Sequence, residues 1–163
     1  MFIHVPPEDK LSDADLHEFV NDLVDWVWGY LKQNSINVVA GAIIQHHQVL
    51  LGERSPTQTQ PNTWEFPGGK IEEDESWPMA VKREWLEEFD VQVTPLHLLG
   101  CLQHTVDRRL IRVYPVACLP TNVNTEFKLK VHSNFAWMSV GSDPCLEWTG
   151  RDDEIFSLIQ SIL

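Results

Sequence analysis

The chain has 163 residues, with 12 Lys and Arg against 24 Asp and Glu for a formal net charge of −12. That is a length for one domain with a proper core, too short for two comfortable ones. At 43% hydrophobic and 22% charged residues it reads as globular rather than disordered, and no apolar run approaches the ~20 residues of a membrane span. The acidic balance argues against a DNA or RNA polymer as partner, which needs a broad basic surface. It leaves open a nucleotide, whose phosphates can be held by a divalent cation on carboxylates and a few arginines.

The first ten residues, MFIHVPPEDK, have neither a basic n-region nor an apolar h-region, so no cleaved secretory signal is expected. Cys101, Cys118 and Cys145 are widely spaced with no CxxC pair, which indicates neither a structural zinc nor a disulfide framework and points to the cytoplasm. In LSDADLHEFVNDLVDWVWGYLK, Ser12 is placed to cap a helix. Leu16, Phe19, Val20, Leu23, Val24, Val27 and Leu31 then recur at helical spacing, with Asp13, Asp15, Glu18, Asp22 and Asp25 among the polar positions. Residues 1–35 are therefore a helical extension on a domain of 36–163. The helix serves either as an extra packing element or as a homodimer or partner surface.

After the break at Asn34-Ser35, INVVAGAIIQHHQVLLGER reads as strand, turn and strand, with His46-His47 at the turn. SPTQTQPNT has no apolar periodicity and is an exposed loop. LHLLGCLQHTV, a turn at Asp107-Arg108 and LIRVYPVACLP form a second antiparallel pair. TNVNTEFKLK is loop, NFAWMSV a short strand, and RDDEIFSLIQSIL a closing helix. Strands interleaved with two or three helices predict an α/β sandwich around a mixed β-sheet.

Between the two strand pairs lies PGGKIEEDESWPMAVKREWLEEFD. Its helix begins near Ser76, a candidate cap, has Pro78 in the first turn and ends near Phe89. Val81, Trp85 and Phe89 make an apolar stripe, and Glu84, Glu87 and Glu88 gather beside it. Like charges at these spacings repel, and only Lys82 and Arg83 offset them locally. A helix built for solubility would interleave Lys with Glu. Mg²⁺ instead wants hard oxygen ligands from one face. Gly68-Gly69, read as a tight turn with freedom for positive φ and close approach, followed by Glu75 ahead of the helix, makes a composite site.

These residues resemble the signature of the Nudix hydrolases, G-x5-E-x7-R-E-U-x-E-E-x-G-U with U a bulky apolar residue. Gly69, Glu75, Arg83, Glu84, Trp85, Glu87, Glu88 and Val91 fall in register. The resemblance implies a Nudix-type α/β/α sandwich over residues 36–163, with the N-terminal amphipathic helix outside it. WEFPGGKIE and WMSV look most like the MutT-type branch, which implies hydrolysis of a nucleoside triphosphate, canonical or oxidised, to nucleoside monophosphate and pyrophosphate. The alternatives are a Nudix hydrolase of a nucleotide sugar or dinucleotide, and a non-catalytic nucleotide-binding module.

Carried over by position, the Gly68 carbonyl with Glu84, Glu87 and Glu88 would ligate Mg²⁺ or Mn²⁺. Arg83 would orient the glutamates, and Glu75 and Gly69 would support the loop. Arg54, Phe66, Arg108 and Asp152 would meet substrate, Asp152 at the base edge or else as an N-cap.

Two departures follow. Asp90 replaces the glycine after the helix, which predicts positive φ there at ~1 kcal/mol of strain. Val131 stands where relatives often have a metal-binding or basic glutamate next to His132. The base role then falls to Glu87, the favoured one, or to His132 or Glu126.

Overall fold

The run Val38–Ile44 is apolar or glycine throughout because the strand that carries it is covered on both faces. In a computed structural model, which describes residues 12–122 and 125–163, Val39 and Ile43 of strand β1 (Ser35–Gln45) sink into one core cluster. The alternate residues Ala40 and Ala42 enter a second. Strand β2 (Gln48–Glu53) splits likewise, with Leu50 on the first face and Val49 and Leu51 on the second.

The predicted turn joins these strands, His46 and His47 taking φ of 50° and 58°. Short strands β3 (Trp64–Glu65) and β4 (Gly68–Lys70) follow, and helix α2 (Trp77–Phe89) covers the first face. Helix α3 (Asp152–Ile162), through Ile155, Phe156 and Ile159, covers the second.

LHLLGCLQHTV is two strands rather than one, β5 (Val93–Leu98) and β6 (Leu102–Val106). The chain breaks at Leu99–Cys101, where Leu99 N–H donates to Pro115 O (2.8 Å). Both strands pair antiparallel with different parts of the long β7 (Arg109–Pro120). Strand β8 (Asn134–Ser139) pairs antiparallel with the whole of β2. The sheet path is β3-β2-β1-β7-β5, with β4 on β1 and a parallel bridge between Trp64 and Trp148. The architecture is the predicted mixed α/β sandwich.

By contacts the chain divides into two units, one ending at Ser35 and one spanning Ile36–Leu163. In the first, helix α1 (Asp13–Asn34) starts with Leu16 N–H on Ser12 O (3.0 Å). Leu16, Val20, Val24 and Val27 are exposed and Phe19 and Leu23 half-buried. The side chain of Leu31, and Val123-Asn124 of the TNVNTEFKLK loop, lie outside the described residues. No helix among the described residues is long and apolar enough to cross a membrane.

Candidate active site

Burial of the α2 stripe draws its neighbours inward. Val81, Trp85 and Phe89 are wholly inaccessible, and Glu84 beside them keeps only 8% of its surface. Ser76 sits at the N-cap position in extended conformation, but its hydroxyl makes no capping bond. Its carbonyl accepts from the Met79 and Ala80 N–H groups instead (3.0 and 2.9 Å), and Pro78 in the first turn leaves no amide to satisfy.

The three glutamates lie within about 100° of one another around α2, but they differ in burial. Glu84 is buried and Glu88 half-buried, while Glu87 is exposed. At ~100° per residue Glu87 lies toward Arg83, one turn back, and their side chains pair at 3.2 Å.

Arg83 is the organiser. Nε and Nη2 donate to the two oxygens of Glu75 (3.0 and 2.9 Å), Nη1 to Glu84 Oε1 (2.7 Å), and Nη2 also to the Lys70 carbonyl (2.9 Å). Its hydrogen bonds lower the Glu75 pKa, and the same contacts raise that of Arg83 itself. Glu84 is shifted upward all the same, because burial outweighs the Arg83 bond.

Glu88 accepts the Gly68 N–H (3.1 Å), and burial, reinforced by the charges of Glu84 and Glu65, pushes its pKa up to about 9. The Gly68-Gly69 pair needs correction. It is not a tight positive-φ turn but strand β4, with Gly69 opposite Val39 and Gly68 opposite Ala40. What requires glycine at 69 is close approach: a Cβ there would collide with the Glu84 carboxylate.

A fourth carboxylate joins the site without having been singled out from sequence. Glu65 on β3 accepts Arg54 Nη1 at Oε2 (2.7 Å) and faces His132 Nε2 with Oε1 (3.0 Å). Its charge raises the pKa of both Glu88 and Asp152. The signal available in the sequence was a lone acid in an aromatic run, WEFP. Arg54 is engaged here with Glu65 and with Thr59, through the carbonyl (2.7 Å) and hydroxyl (3.1 Å).

Beside this acidic group opens a cavity of about 230 Å³ lined by Phe66, Leu102, His104, Val113, Asp152 and other residues of β1, β6, β7 and α3. Phe66 is both core and lining, buried to 4% exposure and stacked on Trp148 (6.4 Å between centroids, 11° between planes). Asp152 is the first residue of α3 rather than its N-cap, which is Arg151. Its carboxylate reaches across to accept the Phe66 N–H (2.7 Å), and burial pushes its pKa up to about 7. Arg108 occupies the exposed tip of the β6–β7 turn at φ 66° and is not among the cavity-lining residues.

At the far end of α2, Asp90 has φ 58° and ψ 30°, the left-handed cap that replacement of glycine predicts. Its carboxylate pairs with Lys130 (2.8 Å) and Lys128 (3.2 Å), which hold its pKa below the usual range, Lys130 foremost. Val131 is 38% exposed and Glu126 is exposed, whereas His132 is buried.

Comparison with known proteins places this geometry. The NUDIX domain family matches residues 35–155, most of the chain. The chain belongs to the Nudix family. The E. coli (strain K12) CTP pyrophosphohydrolase is 37% identical over 79 residues, 48% of this chain and 58% of the relative. An 8-oxo-dGTP diphosphatase of Proteus vulgaris is 33% identical over 82 residues, 50% of this chain and 73% of the relative. The chain thus spans little more than half the length of the first of these.

The solution structure of the E. coli ORF135 protein superposes with a TM-score of 0.69 at 26% identity, covering 79% of this chain and 91% of that one. A MutT protein from Methanosarcina mazei Go1 at 22% identity (TM-score 0.65, covering 78% of this chain and 95% of that one) shares the fold. This chain's relatives include proteins named for pyrophosphohydrolase and diphosphatase activity.

Among the described residues, no three carboxylate, imidazole or thiolate groups already converge as a ready cation site. The donor chemistry nevertheless fits a hard divalent ion. Glu88 is a carboxylate whose pKa is raised first by burial and then by the charges of Glu84 and Glu65, more than the positive charge of Arg54 offsets. A cation at that point would supply more positive charge.

Proposed function

We propose that the chain is a MutT-like pyrophosphohydrolase: water attacks the β-phosphorus of a nucleoside triphosphate, and nucleoside monophosphate and pyrophosphate leave. The observation that carries this reading is Glu88, a desolvated carboxylate near Glu84 and Glu65 that accepts the N–H of Gly68, a residue that with Glu65 lines a cavity large enough to receive part of a nucleotide. The two relatives' names, a CTP pyrophosphohydrolase and an 8-oxo-dGTP diphosphatase, both denote nucleoside triphosphate chemistry.

Glu84, Glu87, Glu88 and the Gly68 carbonyl would hold Mg²⁺ or Mn²⁺, which when bound screens the anhydride oxygens and favours ionisation of the attacking water. Arg83 sets the directions of Glu84 and Glu87 through charge-assisted bonds, and Glu75 holds Arg83 by two of its nitrogens. Gly69 leaves room for the Glu84 carboxylate.

Phe66 and Asp152 line the cavity that takes the base, and Asp152 offers an oxygen to an exocyclic amine or ring N–H. Arg54 is the phosphate-side cation of this reading, exchanging part of its Thr59 bonding for substrate. Arg108 would reach substrate from the hairpin tip. Because Val131 has no oxygen, proton acceptance from water falls to a carboxylate elsewhere: Glu87, exposed to solvent, or Glu65. The exposed stripe on α1 supports a homodimer through that helix, and three free thiols fit the cytoplasm.

The test is release of pyrophosphate and phosphate from the eight ordinary (d)NTPs, 8-oxo-dGTP, a modified dCTP, ADP-ribose and a dinucleotide, with Mg²⁺ and with Mn²⁺. Glu88→Gln serves as the blank. Pyrophosphate from a triphosphate, absent in the variant, is the expected result. Turnover of ADP-ribose or the dinucleotide alone would replace this substrate class with another Nudix one.

A further inference from the structure

The segment from Phe127 to Ser133 has no regular secondary structure, yet it is fastened along its length. Lys128 and Lys130 donate their amides to the Phe89 and Glu88 carbonyls at the end of α2 (2.9 and 3.0 Å), and Ser133 N–H donates to Glu53 O (2.9 Å). The ammonium groups of both lysines close on Asp90, and that of Lys130 also reaches the Leu86 carbonyl (3.3 Å). The helix end and the segment are thus clamped twice, by backbone and by charge.

The clamp delivers one side chain to the acidic site. His132, with no accessible side-chain surface, stacks on Phe89 (4.9 Å between centroids, 22°). It lies over Gly52, where any Cβ would strike the ring. Among the described residues its buried Nδ1 has no hydrogen-bond partner, a cost that proteins tolerate where a group has a task. Its other nitrogen meets Glu65 Oε1, so the carboxylate accepts from two donors, His132 on one oxygen and Arg54 on the other. A carboxylate bonded at both oxygens cannot rotate freely.

Resting on the phosphoanhydride-hydrolase reading above, we propose that His132 is a positioning residue. Delivered by the Asp90–Lys128–Lys130 clamp, it fixes the direction in which Glu65 presents its carboxylate to the cavity that receives the substrate. The 127–133 segment thereby acts on the site through an imidazole bonded to another strand's carboxylate, in a chain whose Val131 has none.

A double-mutant cycle tests this on the nucleotide that the full chain hydrolyses best. His132→Phe keeps the ring volume and the Phe89 contact but removes the donor. The expected fall in kcat is about 10- to 100-fold, the size of one charge-assisted bond, with KM within about threefold. In a Glu65→Gln background the same change should cost nothing further. Independent, multiplying effects, or an undiminished kcat in His132→Phe, would overturn the proposal.

Should His132→Phe fail to fold, the surface pair Lys128→Met and Lys130→Met takes its place, lowering kcat severalfold alone and not at all with Glu65→Gln. Unchanged kcat in that pair would also overturn it. Absence of all turnover by the wild type would sink the hydrolase reading separately. The ring ¹⁵N signals of His132 would then decide positioning: a protonated Nε2 perturbed by Glu65→Leu supports it, and signals indifferent to that change refute it.

Discussion

Helices α1 and α2 are both acidic and both carry an apolar stripe at helical spacing, yet their carboxylates have opposite fates. On α1, Asp13, Glu18, Asp22 and Asp25 are exposed, and so are most of the stripe residues beside them. On α2, Val81, Trp85 and Phe89 are fully buried, and Glu84 and Glu88, next to two of them in sequence, go in with them. The difference lies in burial of the stripe. Where the stripe is buried, adjacent acids lose water and their pKa values rise; where it is exposed, they remain an ordinary solvated face. A run of carboxylates becomes chemistry only through what lies next to it.

The sharpest way to break this comparison is to neutralise one acid on each helix. Glu88→Gln should lower kcat by at least about 10²-fold, since a cation ligand contributes several kcal/mol at ~1.4 kcal/mol per factor of ten. Asp22→Asn should leave kcat and KM as they are. Steady-state pyrophosphate release measures both, and equal effects would end the distinction.

A second consequence concerns stability. Glu88 binds its proton more tightly folded than unfolded, up to about 9, and Asp152 does so up to about 7. Each therefore contributes fully below the unfolded carboxylate range, and that contribution is lost as pH rises through the folded value. The metal-free protein should lose stability between about pH 5 and 9, at up to ~1.4 kcal/mol per unit for each group inside its window. Mg²⁺ should reverse the trend at the alkaline end by binding the ionised form. Chemical denaturation with chelator and with Mg²⁺, on wild type and Glu88→Gln, checks this; a pH slope unchanged in the variant would count against it.

Replacement of Asp152 by Leu should come next in size, removing the acceptor of the buried Phe66 N–H at a cost of about 1–3 kcal/mol. It should also raise KM more than it lowers kcat. Calorimetry and the kinetic split together would distinguish loss of a base contact from simple loosening of α3.

The difference between these residues and Glu65 shows what was legible beforehand. The α2 stripe and the His46-His47 turn follow from local spacing and backbone preference, so sequence suffices; the left-handed cap at Asp90 follows from the signature glycine that it replaces. Asp152 was accessible only through resemblance. Glu65 acquires its meaning from His132, 67 positions away, and no periodicity encodes that. The joint pairing of Glu84 and Glu87 with one nitrogen of Arg83 leaves Glu87 exposed and Glu84 buried, a difference that their spacing does not encode. The split of LHLLGCLQHTV was hidden by its near-continuous apolar character, since β7 alone determines where two strands fit along one.

The smallest expected effect is the most informative about the end of α2. Asp90→Gly restores the residue that a left-handed cap prefers, removing a Cβ penalty, and at the same time deletes both lysine contacts. The two changes oppose each other in stability, because glycine gains at φ 58° what the exposed, salt-screened pairs give up. Tm should stay within about 4 °C of wild type. Activity has no such compensation: if the clamp serves to deliver His132 to Glu65, kcat should fall about threefold or more, under ~1 kcal/mol of barrier, in a protein that is no less stable. A glycine variant as active as wild type would overturn delivery of His132 by the charged clamp, as unchanged kcat in the lysine pair would, and leave the fastening of the segment to the backbone bonds from Lys128 and Lys130. The charges on Asp90 would then be, like those of α1, only a solvated face.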